Sequence, residues 1–160
     1  MSIWHFAVSR VTLATMKDLE LAKQVYHGGQ YTFVLVRAGQ VAATGTRDGI
    51  GELLEVVARR GASLRGASLA DKIVGKAVAM IAVYAGITEI YTPLVSEPAE
   101  QVLREFGIAL AADRRVPLIR NKRNDGLCPM EQLTLPLTNP TAAVAALQEF
   151  VAAKRQRVPT

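Results

Sequence analysis

The stretch Ser68–Tyr84, SLADKIVGKAVAMIAVY, constrains the fold more than any other part of the chain. It reads as one long helix. Asp71, Lys72 and Lys76 occupy its first turns, and no charge follows as far as Tyr84. A helix that apolar packs inside a protein. Ser68 and Asp71 have capping-box spacing, and an acid is favoured near a helix N-terminus. Lys72 and Lys76 are four residues apart, so they share a face, and neither has an acid at the neighbouring positions of that face. Snorkelling of the alkyl stem is the bland account of Lys76. The functional account sets Lys72 and Lys76 at a pocket rim, binding an anion or pairing with Asp48, Glu97 or Glu131.

The rest of the chain supplies a sheet for that helix. Residues 3–12 alternate weakly, as a strand would. Thr15–Tyr26 reads as a helix, with Thr15 and Asp18 as its cap and His27 beside its C-terminal dipole. Tyr31–Arg37 is rich in β-formers, and Ala38–Gly39 turns it into a second strand, Gln40–Thr44. GTRDGIG, residues 45–51, matches neither phosphate-binding glycine pattern and reads as a loop before a helix at Glu52–Arg60. Beyond the long helix, Ile87–Tyr91 is a strand and Ser96–Glu97–Pro98 starts a helix that ends at Gly107. Ile108–Ala112 and Val116–Ile119 read as strands, residues 120–130 as a polar loop, and Asn139–Pro140 as the start of a last helix reaching Ala153. A hairpin followed by strand–helix alternation implies a mixed sheet between helices, a three-layer αβα sandwich.

With 160 residues, half of them hydrophobic, the chain suits a single domain, 1–160. Its core would be 31–137, with an N-terminal extension 1–30 and a basic tail after the last helix. The lone Cys128 excludes an internal disulfide and fits a cytoplasmic setting. No apolar stretch is long enough to span a bilayer. The net charge of +5 suits an anionic partner, but with 6% aromatic residues nucleic acid fits less well than a small ligand.

Gly126–Glu131, GLCPME, is the second constellation. A cysteine before proline sits on extended backbone. Nearby cations such as Lys72, Lys76 or Arg123 would favour its thiolate, with Glu131 assisting, whereas a packed thiol is the bland alternative. His5, His27 and Cys128 have no ligand spacing, so no metal or cofactor is expected.

Together, LRGASLADKIVGKAVA and GLCPMEQ resemble a small bacterial family known as a domain of unknown function. The resemblance covers about Tyr31 to Leu137. It implies a cytidine-deaminase-like fold, opened by a hairpin, with no established activity. Its motifs carry over onto Asp71, Lys72, Gly75, Lys76, Cys128, Pro129 and Glu131. Deaminases hold zinc with His/Cys-x-Glu at one helix start and Pro-Cys-x-x-Cys at the next. The corresponding starts, taken as Ser68–Lys72 and Ser96–Glu100, contain no such set, so the resemblance implies the scaffold without zinc hydrolysis.

The leading expectation is a deaminase-fold protein that binds a small anionic or nucleotide-like ligand through Asp71, Lys72, Lys76, Ser96 and Glu97, with the GLCPME loop closing the pocket. An enzyme using Cys128 and Glu131 is the second reading. A regulatory or homo-oligomeric interaction module is the third.

Overall fold

The computed structural model describes residues 17–157. The strand expected at 3–12 and the cap at Thr15 lie outside these residues. Helix α1, Asp18–His27, is followed by a hairpin of β1, Phe33–Arg37, and β2, Gln40–Gly45. Ala38 and Gly39 both have positive φ, 52° and 77°, as a two-residue primed turn requires. The Asp18 carboxylate stabilises this turn by accepting the amides of Ala38 and Gly39 at 3.0 and 2.9 Å.

Helix α2, Gly51–Arg60, and a short 3-10 turn lead into β3, Ser68–Asp71. Helix α3 is Lys76–Ala85, and β4 is Glu89–Ser96. Helix α4, Glu97–Glu105, and β5, Ala109–Val116, complete the sheet, and α5, Pro129–Thr134, and α6, Pro140–Arg157, follow. The strand order is β2-β1-β3-β4-β5. Strand β1 is antiparallel to both its neighbours, whereas β3, β4 and β5 run parallel.

The two sheet faces are unequal. Helices α2, α3, α4 and α6 share one core with Phe33, Leu35, Leu69, Ile90 and Val95. On the other face α1 covers Val34, Val36, Ala70 and Tyr91 with buried Ala22 and the partly buried Leu19, Leu21, Val25 and Tyr26.

The organising stretch is not one helix. Ser68–Asp71 pairs with Val36–Phe33 on one side, and Ser68–Ala70 pairs with Glu89–Tyr91 on the other, so it is a central strand buried on both faces. Ser68 and Asp71 therefore do not form a capping box, and Lys76 opens α3 rather than sitting in a second turn. Two further expectations give way. Val116 closes β5 instead of starting a strand, and Pro129 begins α5 inside the expected polar loop, as proline in a first turn allows. Among the described residues, no helix is long and apolar enough to cross a membrane.

Candidate functional site

Between β3 and α3 the chain makes a short loop, Lys72–Gly75, held like an extension of the sheet. The Lys72 amide donates to the Thr32 carbonyl at 2.9 Å. The Val74 amide donates to the Leu94 carbonyl at 2.9 Å, and its carbonyl accepts the Ser96 amide at 3.1 Å. At the end of the loop, Gly75 N-caps α3 but offers no side chain. Glu131 supplies the cap from α5. Its Oε1 accepts the Lys76 amide at 2.7 Å and the Ser96 hydroxyl at 3.2 Å, and its Oε2 accepts the Ile119 amide at 2.6 Å. A buried carboxylate needs such donors. A Cβ on Gly75 would lie 3.3 Å from Glu131 Oε1 and 3.2 Å from Ile119 Cγ1, so the close approach favours glycine.

A cavity of about 440 Å³ opens at this loop, beyond the carboxyl end of β3. Open α/β sheets bind ligands at such a position. Apolar side chains of Ile50, Leu53, Val78, Ile119 and Met130 contribute to its lining. Lys72, Arg120, Lys122 and Lys154 also contribute, making that part of the wall basic. Asp48, from the glycine-rich β2–α2 loop, sits between Lys72 Nζ at 3.7 Å and Lys122 Nζ at 3.3 Å. Lys122 first, and then Lys72, hold the Asp48 carboxyl below its ordinary pKa.

Asp71 and Thr32 line the same cavity. Asp71 is only 9% exposed, and its Oδ1 accepts the Ile73 amide at 3.2 Å. Burial pushes its carboxyl up to about 8, so it is mostly protonated at neutral pH. The Thr32 hydroxyl is the one buried side-chain polar atom among the described residues without a hydrogen-bond partner. Its backbone is fixed on both sides, by the Gly45 carbonyl at 2.7 Å and the Lys72 amide.

Of the residues singled out in the sequence, Asp71, Lys72, Cys128 and Glu131 meet at this cavity. Cys128 is half-buried at the N-cap of α5. Lys76, Ser96 and Glu97 do not line it. Lys76 is buried and its Nζ donates to the Leu135 carbonyl at 2.8 Å, which ties α3 to the end of α5. Glu131 meets Lys76 through the backbone amide and not the ammonium. Ser96 caps α4 by accepting the Ala99 amide at 3.3 Å, and Glu97 is exposed. Sequence reasoning missed Thr32, and it showed Lys122 and Lys154 only as members of the basic clusters Arg120–Arg123 and Lys154–Arg157, which suit an anion, without assigning them to a site. None belongs to a motif, and only tertiary structure brings them to the cavity.

On the opposite sheet face, Tyr91 donates to Asp113 at 2.6 Å, so His27 Nε2, 3.1 Å from the same hydroxyl, is the donor to it. Burial, and then the bond to Asp113, push the Tyr91 phenol up to about 12. Among the described residues, no three His, Cys, Asp or Glu side chains are grouped to hold a metal ion.

No curated protein matches the chain. A DUF1893-family protein from Thermotoga maritima has a similar crystal structure, with a TM-score of 0.76 and 23% identity over 84% of this chain and 91% of that one. The dCMP deaminase from the cyanophage S-TIM5 matches with a TM-score of 0.43 and 17% identity, over 66% of this chain and 97% of that one. A Thermotoga maritima diaminohydroxyphosphoribosylaminopyrimidine deaminase/5-amino-6-(5-phosphoribosylamino)uracil reductase matches with a TM-score of 0.42 and 16% identity, over 74% of this chain and 39% of that one. The sequence profile of the domain of unknown function DUF1893 matches residues 21–151, and the chain belongs to that family.

Proposed function

We propose that the cavity binds a small anionic, nucleotide-like molecule whose anion rests between Lys72 and Lys122. One observation carries this reading: the protein's own Asp48 carboxylate already occupies a place between those two ammoniums. All three side chains are more than half exposed, so their mutual attraction is weak and an incoming anion can replace Asp48. Arg120 and Lys154 add positive charge to the same wall. The cavity volume, about 440 Å³, falls in the range of about 300–1,000 Å³ that holds small-molecule ligands.

Titration calorimetry with ribose 5-phosphate tests the reading. Replacing both Lys72 and Lys122 by alanine is expected to weaken binding at least about tenfold, and Asp48→Ala to strengthen it. The affinity should fall as salt rises. Failure of ribose 5-phosphate to bind, or equal binding by the double variant, would overturn it.

A further inference from the structure

From the other polar groups lining this cavity, we infer that Asp71 and Thr32 recognise a neutral planar group, an acceptor beside a donor as in a cyclic amide, at the buried end of the ligand. The inference deepens the anion-binding reading and rests on it for the ligand's other end. The backbone amides of Ile73, 3.2 Å from Oδ1, and of Lys72 act on the Asp71 carboxyl, while among the described residues no side chain hydrogen-bonds it. The titratable and charged groups around it are Tyr26 from α1, the adjacent Lys72, and Asp48, Arg120, Lys122, Cys128, Glu131 and Lys154 at the cavity. None of these cations forms an ion pair with it; Lys72 and Lys122 pair with Asp48 instead.

A carboxyl so placed is held neutral by burial, and a neutral carboxyl has one O–H donor beside one C=O acceptor. That pair is complementary to the C=O and N–H of a cyclic amide, in two parallel hydrogen bonds. It is not complementary to a second anion, which would find no donor pair, or to a cation, which would favour the ionised acid. Thr32 adds a polar group at the same cavity. An unpaired buried hydroxyl costs about 1–3 kcal/mol. The floor thus reads a neutral edge while the basic wall reads charge, and the two ends of the ligand differ in kind.

Calorimetry at pH 7 with uridine 5′-monophosphate and ribose 5-phosphate separates the two ends. The nucleotide is expected to bind at least about tenfold tighter, the worth of two net hydrogen bonds. Asp71→Asn, which keeps an acceptor beside a donor, should hold that ratio within about threefold. Asp71→Leu should bring it near one, and Thr32→Val should lower it, with unchanged circular dichroism confirming that each variant is folded. Above about pH 8 the wild-type ratio should fall while that of Asp71→Asn stays level. Equal affinities in the wild type, or equal losses in the Asn and Leu variants, overturn the inference. If ribose 5-phosphate does not bind, the anion reading alone fails. The floor is then judged by amide NMR with uracil and 1,3-dimethyluracil: shifts at Thr32 and Asp71 with uracil alone uphold it, and no shift, or equal shifts with both, overturns it.

Discussion

The two parallel crossovers of the sheet look alike in sequence order and differ at their joints. In β4–α4 the strand runs straight into the helix, and Ser96 caps the helix it precedes. In β3–α3 a four-residue loop intervenes, the local cap is a glycine, and the first helical amide is satisfied by a glutamate 55 residues later. The Ser96 cap is made within its own joint, whereas the remote cap Glu131 also lines the cavity at the β3–α3 joint. Ser96 also donates to Glu131, so the β4–α4 joint helps to hold the β3–α3 one.

The comparison can be broken most directly at Glu131. Glu131→Ala leaves three donors without their acceptor and is expected to lower stability by about 3–5 kcal/mol, with Gln losing less, as urea denaturation would show. A change below about 1 kcal/mol would mean that the β3–α3 joint does not depend on its remote cap. Asp71, the last residue before that joint, gives the next effect. Its carboxyl titrates near about 8 in the fold and near about 3.9 when unfolded. The folded chain therefore holds a proton that the unfolded chain has lost. The contribution is complete below about pH 4, falls by about 1.4 kcal/mol per pH unit as pH rises, and is gone above about pH 8. Asp71→Asn should flatten the slope between about pH 6 and pH 7, read from denaturation midpoints, and an unchanged slope would show that Asp71 is ionised throughout. Ser96→Ala should have the smallest effect, about 1–2 kcal/mol, from loss of the local cap and of one of the three donors to Glu131. If it equalled the Glu131→Ala loss, the distinction between the joints would disappear.

Sequence signals worked where the physics is local. Ala38–Gly39 marked the hairpin, Ser96–Glu97–Pro98 the start of α4, and Asn139 the cap of α6, where its side chain accepts the Ala142 amide at 3.0 Å. They failed at Ser68–Asp71 for a specific reason. A central strand buried on both faces shows no alternation, and its Ser and Asp have the spacing of a helix cap. The apolar run after it is helical, so the two pieces joined into one apparent element. Gly75 is the boundary between them, the N-cap of α3. At the cavity, the titratable residues of both motifs were legible as unusual chemistry. Lys76 was legible as a lysine without a nearby acid, but neither its burial nor the carbonyl of Leu135 that holds it was. Thr32 carried no signal, because an unpaired hydroxyl is defined only by its surroundings.

One outer strand has a consequence for how the molecule meets copies of itself. Among the described residues, strand β5 lies at the margin of the sheet, and no other strand pairs with the outer side of its eight residues, Ala109–Val116. Such a margin invites fibrous stacking of one sheet on another's border. Here Asp113, Arg114 and Arg115 stand in succession along it, and all three are exposed. A strand added from another molecule would have to accommodate that run of charge, so this border carries its own protection against aggregation.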